Sequence, residues 1–228
     1  MARAPSSAAD GLALPGDLAG RLAAACLEVF GAFHPEPDDD APEGTGTILL
    51  LGPREPGFWP HASTEPEFAD GRADPMDRWS TRVIGDIAVA TGATALFPFG
   101  GPPWRPFIRW AERSGRAWPS PVQLLVHDRA GLMVSYRGAL ALRQRLPLPP
   151  TPQRPCNTCQ GQPCATACPV GALTPAGYDL EACHRFLDGP DGRDCMDNGC
   201  AVRRACPVSA RYGRLPGQSG FHMRAFHG

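Results

Sequence analysis

The sequence predicts an α+β chain, with an N-terminal domain of mixed or antiparallel sheet and helices followed by a small cysteine-rich domain. Three observations carry this reading. Helical and strand signals alternate over residues 1–146. All five Trp lie before residue 119, whereas eight of the nine Cys fall between Cys156 and Cys206. Between the two regions runs Pro147-Leu148-Pro149-Pro150-Thr151-Pro152-Gln153-Arg154-Pro155, a composition that stays extended and fairly stiff. The expected division is residues 1–146, a linker at 147–155, and residues 156–228.

The elements of the first region follow from local pattern. Asp17 is placed to cap a helix from Leu18 to about Phe33, where apolar residues recur at helical spacing. Thr47-Ile48-Leu49-Leu50-Leu51, bounded by Gly46 and Gly52, reads as a buried strand. Asp77 to Ala90 reads as an amphipathic helix with Trp79, Val83, Ile84 and Ile87 inward. Thr94 to Phe97 is a short strand, stopped by Pro98 and the Gly100-Gly101 turn. Arg105 to Ser114 is a short helix with Pro106 in its first turn. Val122 to Val126 and Leu132 to Tyr136 are expected to form a hairpin, turned by Asp128-Arg129-Ala130-Gly131. The second region shows many turns and little periodicity, so a bound cofactor is expected to supply stability that an apolar core does not.

Composition narrows the function. The 228 residues are 43% apolar, enough for a sizeable core. With 22 basic and 23 acidic residues, the formal charge of −1 offers no global field for nucleic acid or a membrane surface. Every basic residue is Arg, which excludes lysine Schiff-base chemistry and a P-loop lysine. No apolar run reaches the roughly 18 residues that suggest a membrane span. Met1 to Gly16 carries Arg3 but no continuous apolar stretch, so a secretory signal is not expected and a cytoplasmic location is. In that compartment nine cysteines favour metal binding over disulfides.

The eight clustered cysteines form two sets. The first is Cys156-x2-Cys159-x4-Cys164-x3-Cys168-Pro169; the second is Cys183-x11-Cys195-x4-Cys200-x5-Cys206-Pro207. Both end alike, in Cys168-Pro169-Val170-Gly171-Ala172 and Cys206-Pro207-Val208-Ser209-Ala210, as a degenerate duplication would. A cubane iron–sulfur cluster takes four thiolates. Three closely spaced cysteines can wrap one side of it in a loop whose N–H groups point at the sulfides, and the fourth comes from farther away. The alternative is a pair of structural zinc sites, but only Cys156 and Cys159 show the zinc-knuckle spacing. Cys26, inside an apolar helical stretch, reads as a core thiol.

This region resembles the bacterial two-cluster ferredoxins, over roughly Cys156 to Val208, with two extra residues before Cys164. In that family the cysteine of each Cys-Pro pair ligates the other cluster. The resemblance implies two 4Fe–4S clusters, one on Cys156, Cys159, Cys164 and Cys206, the other on Cys168, Cys183, Cys195 and Cys200. The order of parts is also similar to the epoxyqueuosine reductase family, a cobalamin-dependent group. There a Cys-Pro motif is followed by a segment like Tyr178-Asp179-Leu180-Glu181-Ala182-Cys183-His184-Arg185-Phe186-Leu187. Ile48 to Pro60, Asp74 to Ile87 and Leu124 to Gly138 resemble the cobalamin-processing chaperone family. What this implies is a flavin-reductase-like sheet holding a corrinoid that the clusters would reduce.

Three functions are therefore expected to compete. They are a cobalamin-linked reductase, a ferredoxin-type carrier that docks a partner oxidoreductase, and a module that uses metal only to fold. No catalytic residue is assigned. Asp38-Asp39-Asp40 reads as a solvated charge run, and His34, His61 and His127 as structural. The tail with Arg211, Arg214 and Arg224 has no acid after Cys206 and reads as a flexible basic terminus, or as a dock for an acidic partner.

Overall fold

A computed structural model of the chain describes residues 11–228; Met1 to Asp10, including Arg3 and most of the stretch read for a leader, lie outside the described residues. The protein is a mixed α/β chain that divides into two compact units. Unit 1 is Met1–Arg116 with Ser135–Thr151, and unit 2 is Ala117–Val134 with Pro152–Gly228. One boundary falls inside the proline-rich stretch. The other two, on either side of 117–134, are not marked by any local signal.

Unit 1 opens with helix α1 (Leu18–Ala24), which stops before Cys26, a left-handed residue with φ 51°. The chain then turns into strand β1 (Leu27–Phe33). This corrects the single helix expected through Phe33. A bulge between Val29 and Gly31 lets Leu27, Val29, Phe30 and Phe33 all be buried from a strand, so their spacing imitates a helical period. Cys26 is correspondingly a half-buried turn residue rather than part of a helical core.

Strand β2 (Thr47–Pro53) is buried along its whole length. Short helices α2 (Phe58–Ala62) and α3 (Pro66–Ala69) lead into α4 (Pro75–Thr91), which starts on Pro75 and ends at left-handed Gly92 (φ 67°). Trp79, Ile84 and Ile87 are buried as the periodicity requires, and Val83 is half-buried. Phe58 meets Trp79 edge-on at 5.3 Å. Strand β3 (Thr94–Leu96) and helix α5 (Phe107–Arg113) follow. The chain next supplies β4 (Ala117–Pro119) and β5 (Leu125–His127) to unit 2, then returns to unit 1 as β6 (Gly138–Leu142). The unit 1 sheet has the order β1-β2-β6-β3 and is antiparallel throughout.

Two further expectations change. Asp39 is not solvated: it is 2% exposed, its carboxylate accepts the Glu36 N–H at 2.8 Å, and Arg113 lies 3.1 Å away. Its carbonyl accepts the Trp110 indole N–H at 2.9 Å, so the acidic run anchors α5. The expected hairpin is also displaced. Its paired strands are β4 and β5, and Leu132 to Tyr136 forms no strand. The reason lies in the Asp128–Gly131 turn, which closes on His127. His127 and Gly131 exchange two backbone hydrogen bonds of 3.0 and 2.9 Å, and His127 Nδ1 accepts the N–H groups of Arg129 and Ala130. Beyond the turn, Leu132 enters the unit 2 core and the chain goes back to unit 1 from Ser135.

Unit 2 continues with the two-residue strands β7 (Leu173–Thr174) and β8 (Gly177–Tyr178). Five helices follow: α6 (Leu180–Asp188), α7 (Arg193–Asn198), α8 (Ala201–Ala205), α9 (Pro207–Tyr212) and α10 (Pro216–His227). Its core joins Val122, Val126 and Leu132 to Cys164, Leu173, Val202 and Cys206. The region after residue 155 therefore does have an apolar core, because the mid-chain segment brings side chains that its own sequence lacks. The basic tail is helical, packed through α10 on α7, and Arg214 donates to the Met133 carbonyl at 2.9 Å. Among the described residues no helix is long and apolar enough to cross a membrane.

Candidate metal centre

All eight clustered cysteines lie in unit 2, and Cys26 lies in unit 1. None is in a disulfide. Cys156 sits in a single 3-10 turn (Pro155–Asn157), and the Cys159 N–H returns to its carbonyl at 3.4 Å. Cys164 sits in a second 3-10 turn (Pro163–Thr166), entered through left-handed Gln162. Cys206 closes α8 and precedes α9, whose first residue is Pro207. A proline there fixes the turn and removes a donor that the first helical turn leaves unpaired anyway.

These four come from separate pieces of chain yet line one cavity of about 560 Å³, together with Ser120, Val126, Leu132 and Arg211. Burial pushes the Cys156 and Cys164 thiols up, and negative charge on Cys206 pushes both further. Arg154 opposes this at Cys156 through its charge and a hydrogen bond. Gly131 seats Cys206. It has φ +57°, and a Cβ there would stand 2.5 Å from the Ser209 nitrogen and 3.1 Å from Cys206 Sγ.

Cys168, Cys183, Cys195 and Cys200 form the other group. Burial raises the Cys183 thiol most, and charge on Cys200, Cys168 and Cys195 adds to it. Burial likewise raises Cys195, opposed by a hydrogen bond from the Ala201 N–H. Cys183 is held in the first turn of α6, where the Asp179 carboxylate accepts the Ala182 N–H at 2.9 Å. Cys195 and Cys200 flank the α7–α8 corner. Arg204 fixes that corner by donating to the Gly199 carbonyl at 2.9 Å and pairing with Asp194. Cys206 of the second motif thus shares a cavity with three cysteines of the first, and Cys168 of the first motif is near enough to Cys183 for its charge to act there.

Polar groups point at the sulfurs. The Ala172 N–H donates to Cys168 Sγ at 3.2 Å, and the Tyr178 hydroxyl to Cys183 Sγ at 3.4 Å. Burial first, then the bond to Cys183, raises the Tyr178 phenol above its ordinary value. Arg203 donates to the Leu132 carbonyl; burial lowers its pKa, while charge on Cys200 and Tyr178 opposes that. Tyr178 stacks on Phe226 at 6.3 Å, and Phe226 on His184 at 4.7 Å. His184 Nδ1 meets His227 Nδ1 at 2.9 Å, and His227 Nε2 meets Asp188 at 3.1 Å.

Sequence reasoning located every cysteine but missed Arg154, Tyr178 and Arg203 as neighbours of the sulfurs, and Ser120 as part of the first cavity's wall. Arg154, Tyr178 and Arg203 each stand within five residues of a cysteine; only Ser120 carried no local signal. Among the described residues, no three or more His, Cys, Asp or Glu side chains converge as a site for one metal ion. No family model matches the chain, and no curated protein or solved structure matches it.

Proposed function

We propose that unit 2 is a ferredoxin-like domain that holds two 4Fe–4S clusters on its eight cysteines, and that the protein transfers electrons. The observation that carries the reading is the single cavity lined by Cys156, Cys159, Cys164 and Cys206, three of them from the first motif and one from the second. A zinc ion gathers its thiolates at about 2.3 Å around one point. A cubane takes each thiolate on a different iron and so keeps the sulfurs apart. Four thiols lining one cavity offer a cubane one ligand for each of its four irons. When bound, such clusters store single electrons at a potential set by burial, charge and hydrogen bonds to sulfur. Tyr178, Arg203 and the Ala172 N–H supply such charge and hydrogen bonds at the second group.

The acceptor to test first is a corrinoid held by unit 1, supported by the resemblance of Ile48 to Pro60 and Asp74 to Ile87 to cobalamin-processing proteins; the third such stretch, Leu124 to Gly138, lies mostly in unit 2. The experiment is anaerobic reconstitution of the full chain followed by iron and sulfide analysis and titration with hydroxocobalamin. About eight irons per chain are expected, as two cubanes require. Cys159→Ser and Cys183→Ser should each lose about half of them. Unchanged iron in both variants, or zinc in place of iron, would sink the cluster reading. A base-off spectrum would identify a corrinoid protein, and absence of binding a carrier that serves another oxidoreductase.

A further inference from the structure

The cavity lined by the first four cysteines has one wall that the cysteine motifs do not encode. Ser120 lies in the turn between β4 and β5, far in sequence from every cysteine of the set, yet it lines the same cavity. Its backbone is fully used. The Ser120 N–H donates to the Leu124 carbonyl at 2.8 Å, and the Ser120 carbonyl accepts the Gln123 N–H at 3.0 Å. Val122, fully buried, and Gln123, which donates to the Pro175 carbonyl at 2.9 Å, pin the turn on either side.

The hydroxyl has a different fate. Ser120 is 7% exposed, and its Oγ is sealed from solvent with no hydrogen-bond partner. Serine in a turn ordinarily bonds a nearby backbone group. A buried hydroxyl without any partner is costly and calls for a ligand or an ordered group. The cavity that Ser120 lines also holds Cys156, Cys159, Cys164 and Cys206, beside the polar side chains of Asp128, Gln153, Gln160 and Gln162.

On the cluster reading above, we infer that Ser120 donates its hydroxyl to a sulfur of the cluster held by Cys156, Cys159, Cys164 and Cys206, and thereby raises that cluster's reduction potential. A hydroxyl dipole aimed at the cluster stabilises the extra negative charge of the reduced state more than it stabilises the oxidised state. Ser120 is thus a tuning residue, neither a ligand nor a catalytic group. Through Ser120 the 117–134 segment then makes a chemical contribution beyond packing.

The test uses the full chain, reconstituted anaerobically, as Ser120→Ala and Ser120→Thr. Iron and sulfide are measured first, and the two potentials are then read by a redox titration followed by electron paramagnetic resonance. Ser120→Ala should keep the iron of the parent protein and lower one potential, with a tenfold shift in its one-electron equilibrium, about 59 mV. Ser120→Thr, which keeps a hydroxyl, should stay near the parent value. Two unchanged potentials in a fully loaded Ser120→Ala protein would overturn the role of Ser120 and leave the clusters standing. Equal shifts of both potentials would also overturn it, because the effect would then be general. A parent protein that takes up no iron would remove the cluster reading and this inference together.

Discussion

Unit 1 and unit 2 solve the problem of stability by different means. Unit 1 closes a four-stranded sheet around strands buried along their length: all seven residues of β2 and all five of β6. Unit 2 has short helices, two-residue strands and a core in which two of seven buried residues are cysteines. Burying Leu and Ile in unit 1 removes apolar surface from water and asks for nothing else. Burying thiols in unit 2 packs apolar surface too, but it also concentrates groups whose charged forms repel. Cys206 acts on Cys156 and Cys164, and Cys200 acts on Cys183 and Cys195. One region is held by hydrocarbon packing, and the other also buries groups whose charged forms repel.

The sharpest way to break this comparison is to damage the apolar side. Leu50→Ala, in the fully buried middle of β2, should cost about 2–5 kcal/mol. Hydrogen exchange should show lost protection in β2 and β6, while the reconstituted chain keeps its iron. Loss of iron in that variant would mean that the two units do not fold separately.

A smaller effect is expected on the cysteine side. Gly131→Ala forces a side chain into a left-handed position against Ser209 and Cys206, for about 1–3 kcal/mol of strain. Thermal unfolding followed by a unit 2 probe should move down, with weaker iron binding at the first cysteine group. An unaltered transition would show that the turn relaxes freely and does not seat Cys206.

The smallest effect belongs to the surface of unit 1. Arg82 pairs with Glu65 at 2.7 Å and Glu67 at 2.6 Å, and the hydrogen bond to Arg82 holds Glu67 below the usual carboxylate range. A carboxyl lowered in the folded state contributes stability at neutral pH and loses it as pH falls through the lowered value. Because the pair is solvent-screened, Arg82→Ala should cost less than about 1 kcal/mol, and less again in high salt. A larger, salt-independent loss would mark this network as part of the unit 1 framework.

Local chemistry made much of this legible beforehand. The Thr47–Leu51 strand, the Asp77–Ala90 helix, the Thr94 strand and the Phe107 helix each announce themselves by periodicity and by Gly or Pro boundaries. The structure has all four, with ends shifted by a few residues. The eight cysteines stood out as a set because their spacing can be read locally. The failures share a cause in long-range structure. A bulge disguises β1 as a helix, α5 draws Asp39 out of solvent, and nothing in Val122, Val126 or Leu132 says that their contacts lie beyond residue 155. Ser120 belongs with these, since a lone serine between two prolines carries no sign of the cavity it will line.

The position of β6 has a consequence for how the chain can be assembled. This strand pairs with both β2 and β3, yet it is made after the 117–134 excursion. During synthesis the sheet therefore stays open down its middle until residues 138–142 emerge. By then Val122, Val126 and Leu132 are already outside and waiting for a core whose other half is still unmade. Unit 1 cannot close as a finished object before part of unit 2 has been made. A fragment cut at the proline-rich stretch would strand three core side chains on the wrong piece, so the order of the gene couples the two units in time.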